Sequence, residues 1–199
     1  MQPALLTRYR ALEAIAAELP EEPVVVALGT MVRELLLVTG RRDHHLYVLD
    51  SMGLPAAIGL GIALSPAAKH HDKVVVIEGD GGLLMGFSTL VTIGLLKPEK
   101  LLLVVLDNGA YAATGMQRTA APAVNLRAAA QACGIDAYDV ATIDDLQAVL
   151  RGTRGIPGPV LLRVAIGPEN RQAPYFLPDP VDLTLSFQRY LAGPATSAR

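Results

Sequence analysis

Two apolar runs in this chain each end in an oxygen-bearing side chain. The first goes from Lys73 through Val74, Val75, Val76, Ile77 and Glu78 into Gly79-Asp80-Gly81-Gly82. The second goes from Leu101 to Leu106 and ends in Asp107-Asn108. Between Gly81 and Asn108 lie 26 residues, room for one helix and two short loops. If both runs are parallel strands of one sheet, Asp80 and Asn108 emerge at the same carboxyl edge, where open α/β sheets bind ligands. A carboxylate and an amide oxygen there suit a hard divalent cation. A glycine-rich turn opening a helix suits the diphosphate that such a cation would carry.

The elements around these runs must supply that edge. Apolar residues at helical spacing predict a helix over residues 3–19, closed by Pro20 and Pro23. Val24 to Leu28 reads as a short strand. Thr30 can cap a helix running to Thr39, and Leu46 to Leu49 is another short strand. A Gly- and Ala-rich helix follows from Gly53 to Leu64, able to pack close to its neighbours and stopped by Ser65-Pro66. The β-branched run Lys73–Glu78 leads into a helix from Leu83 to Leu96. It and Leu101–Leu106 have the continuous apolar pattern of central parallel strands. Residues 109–124 show no period and read as a long, functional loop. Next come a helix at 125–133, a strand at Asp136–Val140, a helix at Ile143–Leu150 and a strand at Pro159–Ile166. The rest, residues 170–199, is a Pro-rich tail with a last helix at Leu183–Leu191. Alternating strands and helices predict one α/β domain over residues 1–199: a doubly wound, mostly parallel sheet with helices on both faces.

Three segments carry a family resemblance. Gly79-Asp80-Gly81 followed by Asn108 resembles the signature of thiamine diphosphate (ThDP) enzymes. The stretch from Ser51 through Met52 to Gly59 is similar to the segment by which those enzymes hold the cofactor's pyrimidine. The stretch from Asp107 to Gln117, with Arg33-Glu34-Leu35 upstream, narrows the resemblance to the β subunits of sulfopyruvate and phosphonopyruvate-type decarboxylases. It covers roughly residues 20–190.

The resemblance implies ThDP and Mg2+ as cofactors. Asp80, Asn108 and the Ala110 carbonyl would ligate the metal, and Gly79, Gly81 and Gly82 would approach the diphosphate. Met52 would be the apolar wedge that bends the cofactor into a V, with Asp50, Ser51 and Tyr111 completing the cofactor contacts. Two departures stand out. Asp50 occupies a position where the family commonly has Gly, and Ala112-Ala113 replace a Gly-Ser pair, removing a loop hydroxyl. The glutamate that acts on the cofactor's N1′ comes, in the family, from a pyrimidine-binding domain for which this chain has no room. The expected protein is therefore half of an enzyme, a subunit of a 2-oxoacid decarboxylase acting on a small 2-oxoacid. A pyrimidine-domain (α-type) subunit would be its partner in a hetero-oligomer of dimers.

Composition fits that expectation. Of 199 residues, 51% are hydrophobic and 18% charged, which points to surface buried against partners. A net charge of −2 gives no basis for nucleic-acid binding. No apolar run reaches the roughly 18 residues needed to span a membrane, and the N-terminus lacks a basic-then-apolar signal, so a cytoplasmic location is expected. The lone Cys133 reads as a small buried residue. Glu78 reads equally as a locally bonded strand-end carboxylate or a site residue. Arg118 could meet a substrate anion or be a solvated loop residue. His44 and His45 read as a surface turn, the alternative being an acid or base. Competing functions are another ThDP enzyme (an acetolactate synthase-like ligase or a 2-oxoacid oxidoreductase), a non-catalytic α/β nucleotide-binding module, and a regulatory subunit. Against the nucleotide module, neither Gly-x-Gly-x-x-Gly nor a Walker lysine is present.

Overall fold

A computed structural model of the chain describes residues 6–193. The strands are β1 (Val24–Val26), β2 (His45–Tyr47), β3 (Val74–Gly79), β4 (Leu101–Asp107), β5 (Ala110–Tyr111), β6 (Gln117–Arg118), β7 (Asp136–Val140) and β8 (Val160–Ala165). Six of them form one sheet in the order β2-β1-β3-β4-β8-β7, and every neighbouring pair is parallel. β5 and β6 make a small antiparallel hairpin above it. From β1 the chain goes first to β2 on one side and then to β3 on the other. The order therefore reverses between β1 and β3, the switch point that leaves a crevice at the carboxyl edge.

The helices are α1 (Arg8–Glu18), α2 (Thr30–Thr39), α3 (Pro55–Leu64), α4 (Asp80–Met85), α5 (Ser88–Leu96), α6 (Leu126–Ala132), α7 (Ile143–Thr153) and α8 (Pro180–Ala192). Successive strand side chains point to opposite faces, and two cores result. Val75, Ile77, Leu102, Val104 and Leu106 pack with α1, α2, α7 and α8. Val76, Leu101, Leu103 and Val105 pack with α3, α4, α5 and α6. Side-chain caps start four helices, α8 among them, where Asp179 accepts from the Val181 N–H at 2.7 Å. Thr7 accepts from the Arg10 N–H, Asn125 from Ala128 and Thr142 from Asp145, each pairing a donor the helix leaves orphaned.

Four details differ from the sequence reading. Thr30 is the first residue of α2 and makes no capping bond; Gly29, at φ 76°, precedes it as the cap. The helix expected over 83–96 is broken into α4 and α5 at Gly86-Phe87. There a Cβ on Gly86 would stand 2.1 Å from the Gly53 carbonyl oxygen, so backbone packs on backbone and the helix cannot continue straight. The 109–124 segment is not all loop: it folds into the β5–β6 hairpin and a 3-10 turn at Ala121–Ala123. His45 is not in a surface turn; it is buried in β2 with its Nδ1 3.3 Å from the Tyr47 hydroxyl. The start of the first expected helix, residues 3–5, and the chain end, residues 194–199, lie outside the described residues. Among the described residues no helix is long and apolar enough to cross a membrane.

Candidate active site

Asp80 is placed by β3. The strand is fully buried up to Ile77, and Asp80 follows it directly as the first residue of α4. Its carboxylate is 1% exposed and accepts from the Thr119 hydroxyl at 2.5 Å. Burial pushes its pKa up; Thr119 and the Asn108 N–H pull it down, and Asp107 adds to the rise. A neighbouring cation would restore the ionised form.

Asn108 is placed by β4, one strand over. Its Oδ1 accepts from the Ala110 N–H at 3.1 Å, and Asp107 Oδ1 accepts from Gly109 at 3.1 Å. These two consecutive side-chain turns, with Gly109 at φ 66°, fold the chain back over the strand ends. Asp107 is fixed in turn by Arg163 on β8, whose Nε donates to it at 2.7 Å.

One cavity of about 120 Å3 joins these groups at the switch point. It is lined by Met52, Gly79, Asp80, Gly81, Gly82, Asn108, Ala110 and Tyr111 from the expected set. Asp50 and Ser51 do not line it. Asp50 is in an adjoining groove with Arg33 and Tyr175, and Ser51 is exposed. Arg118 is exposed on β6, and neither His44 nor His45 reaches the cavity.

The cavity fits a metal and a diphosphate. A carboxylate, an amide and a backbone carbonyl are the hard oxygen donors that Mg2+ takes, with phosphate and water filling the remaining positions. Asn108 Nδ2 is buried with no partner among the described residues, a donor that a phosphate oxygen would satisfy. Side chains at Gly81 and Gly82 would collide with the Tyr111 ring and with Glu78 Oε1, at 2.3 and 2.2 Å. At Gly81 a side chain would displace the Tyr111 ring that walls the cavity, and at Gly82 it would push the end of Glu78 aside. Glu78 itself is 1% exposed, and its Oε2 is unpartnered. Burial lifts its pKa to about 8, opposed by the Ala56 N–H, so near neutral pH it is mostly the uncharged acid.

Arg8, Thr30, Met31 and Thr119 also belong to this region, and sequence reasoning missed all four. One signal was available for Arg8: Glu34 falls among the buried positions Met31, Val32 and Leu35 of α2, so it needed a cation.

Comparison with known proteins identifies the family of the chain. Residues 27–164 match the family described as thiamine pyrophosphate enzyme, C-terminal TPP binding domain. The chain is 37% identical to the sulfopyruvate decarboxylase subunit beta of Methanothermobacter thermautotrophicus, covering 95% of this chain and 97% of that one. It is 43% identical to a phosphonopyruvate decarboxylase of Streptomyces viridochromogenes, covering 81% of this chain but only 40% of that longer protein. Benzoylformate decarboxylase from Polynucleobacter necessarius shares the fold, with a TM-score of 0.71 at 22% identity over 86% of this chain and 34% of that one. With its family match lying across the strand ends that build the cavity, this chain belongs to the thiamine pyrophosphate enzymes, as their C-terminal TPP-binding domain.

Proposed function

We propose that this chain is the diphosphate- and Mg2+-binding subunit of a two-subunit, ThDP-dependent 2-oxoacid decarboxylase. The observation that carries the reading is the convergence of Asp80, Asn108, the Gly79–Gly82 turn and Met52 on one cavity at the switch point. Asp80, Asn108 and the Ala110 carbonyl hold Mg2+, and the glycine turn brings backbone N–H groups to the diphosphate. Met52, lining the cavity, would be the apolar contact that bends the cofactor. Tyr111, packed on Gly81, would help hold the diphosphate, and Asp50 and Ser51, outside the cavity, would contact the pyrimidine only where it extends beyond it. When bound, the cofactor supplies the carbon nucleophile that makes loss of CO2 from a 2-oxoacid feasible. The substrate belongs to the class that the relatives' names indicate, a 2-oxoacid with a second acidic group.

Two observations support a partner that completes the site. The cavity is smaller than the roughly 300 Å3 at which small-molecule sites begin, so the cofactor needs another wall. Among the described residues Glu78 is the only glutamate lining it, and Glu78 lies beside Asp80 at the diphosphate end. The glutamate that acts on the pyrimidine comes from a partner subunit carrying the pyrimidine-binding domain.

Titration calorimetry with ThDP, with and without Mg2+, tests the anchor. The wild type binds only with Mg2+, and Asp80→Ala loses that binding while its circular dichroism stays native. Unchanged affinity in the variant removes Asp80 from the site. A CO2-release assay tests the completeness of the site. The chain alone is inactive on 2-oxoacids, and activity appears on mixing with the partner. Robust turnover by the isolated chain would refute the two-subunit reading.

A further inference from the structure

Arg8, the first residue of α1, is a charged side chain hidden from solvent, 4% exposed, and it lines the cofactor cavity. Its Nη1 is fully engaged, donating to Glu34 Oε1 at 3.2 Å and to Asn170 Oδ1 at 2.5 Å. Glu34 Oε1 also accepts from the Arg171 N–H at 2.9 Å. The pair is buried on both sides, with side chains 5% and 1% exposed.

A buried ion pair is a poor way to join two helices, since apolar residues of similar volume usually do so at lower cost. The rest of the guanidinium suggests what the pair is for. A guanidinium has five N–H groups in a planar fork, and the contacts above use those of Nη1. Nε and Nη2 bond to nothing among the described residues, yet they are not among the sealed, unpartnered atoms of the core. Arg8 lines the cavity, so this edge is the part of the guanidinium left for a ligand there. Arg8 is also at the metal end of it. Burial lowers its pKa, while Glu34 and then Asp80 support its charge.

We propose that Arg8 is an additional anchor for the cofactor's diphosphate: Glu34 and Asn170 hold one edge of the guanidinium so that its free edge faces the phosphate oxygens. Arg8 comes from the α1 side of the sheet, while the Gly81-Gly82 turn comes from the α4 side, so the anion is gripped from both. This rests on the ThDP reading and adds a residue from outside the glycine turn and the metal ligands. The same free edge could instead meet an acid group of the substrate. Its neighbourhood with Asp80 favours the cofactor, and the test separates the two.

The test uses the full chain with Mg2+ and compares ThDP with thiamine monophosphate by calorimetry. The variants are Arg8→Met/Glu34→Met, which removes both charges without stranding either, and Arg8→Lys, which keeps the charge but loses the fork. The double variant is expected to bind ThDP roughly tenfold or more weakly, the usual scale for a lost charge-assisted hydrogen bond. Its thiamine monophosphate affinity and melting temperature should change little, and Arg8→Lys should fall in between. Equal weakening of both ligands, or unchanged ThDP affinity in a folded variant, overturns the assignment. So does a raised KM for the 2-oxoacid in the assembled enzyme with ThDP affinity intact, which would give Arg8 to the substrate. If the double variant does not fold, the ratio of the two affinities in Arg8→Lys decides in the same way. Failure of the wild type to bind ThDP would sink the functional reading itself; normal wild-type binding with unaffected variants sinks only Arg8.

Discussion

The two faces of the sheet are finished differently. On one, α1, α2, α7 and α8 bury an apolar stripe and turn their charge outward, apart from the buried Arg8–Glu34 pair. In α7, Leu146 and Leu150 are buried, while Asp144, Asp145 and Arg151 belong to its polar side. On the other face, α3 and α5 contain no Asp, Glu, Lys or Arg. Their outward residues include Leu64, Val91 and Leu95, the last two 64% and 78% exposed. A helix that is apolar all round is normally a buried helix. The first face also exposes Leu37, Val181 and Leu185, but its helices carry charge for water to solvate, whereas α3 and α5 carry none and leave the second face unfinished. The unfinished surface starts at the cavity. Met52 lines the cavity, the next residue, Gly53, packs on Gly86, and Met85 beside it is exposed. A partner that closed the cavity would cover α3 and α5 as well.

The largest effect that can break this contrast lies within α3. Gly59 faces the sheet, where an added Cβ would stand 2.1 Å from Val76 Cγ2; Gly61 faces outward with nothing within 4 Å. Gly59→Val should cost about 3 kcal/mol through overpacking. Gly61→Ala should instead add up to about 1 kcal/mol by raising helix propensity. Urea denaturation of the two variants checks the signs. Equal losses would mean that both sides of α3 are packed.

The next effect concerns the charged face, which hides a titratable group of its own. His45 in β2 has its pKa pushed down to about 3 by burial, with His44 and Arg42 adding to the shift. The folded state thus prefers the neutral ring. Its stability is complete above the unfolded pKa of roughly 6.5 and is lost as pH falls from there towards 3. Between pH 7 and pH 5 the wild type should lose about 2 kcal/mol more than His45→Gln, from about 1.4 kcal/mol per pH unit. Parallel unfolding curves at the two pH values would show the ring to be accessible.

The same contrast explains what could be read from sequence. β7, an edge strand with Asp136, Tyr138 and Asp139 exposed, is found at its expected bounds; β3 and β4 are within a residue of theirs because strands buried on both faces are continuous apolar runs. Asp80 and Asn108 were legible because each ends such a run. Local pattern does not encode contacts between distant backbones, so the break between α4 and α5 at Gly86 was hidden: its cause is Gly53. Thr119 was missed for the same reason, since a lone hydroxyl in an aperiodic segment gives no sign that it bonds a carboxylate 39 residues away. His45 was misread because its polar neighbours Arg41, Arg42 and Asp43 end where the strand begins.

The smallest expected change in stability is the most informative about the apolar face. Val91 and Leu95 are one turn apart on α5 and project away from the sheet. Replacing both with Lys should alter the isolated chain's unfolding free energy by no more than about 0.5 kcal/mol, as for other exposed sites. Association should respond very differently. Two ammonium groups placed in a dry interface leave charges buried without partners, so the variant should fail to co-purify with the pyrimidine-domain subunit and should show no CO2 release with it. ThDP–Mg2+ anchoring, which depends on the other end of α4, should be retained by the variant alone. A large loss of stability in the isolated chain would mean that α5 is already packed within it. Normal assembly with the partner would mean that the partner closes the cavity without touching α5, and the link between the unfinished face and the incomplete site would be broken.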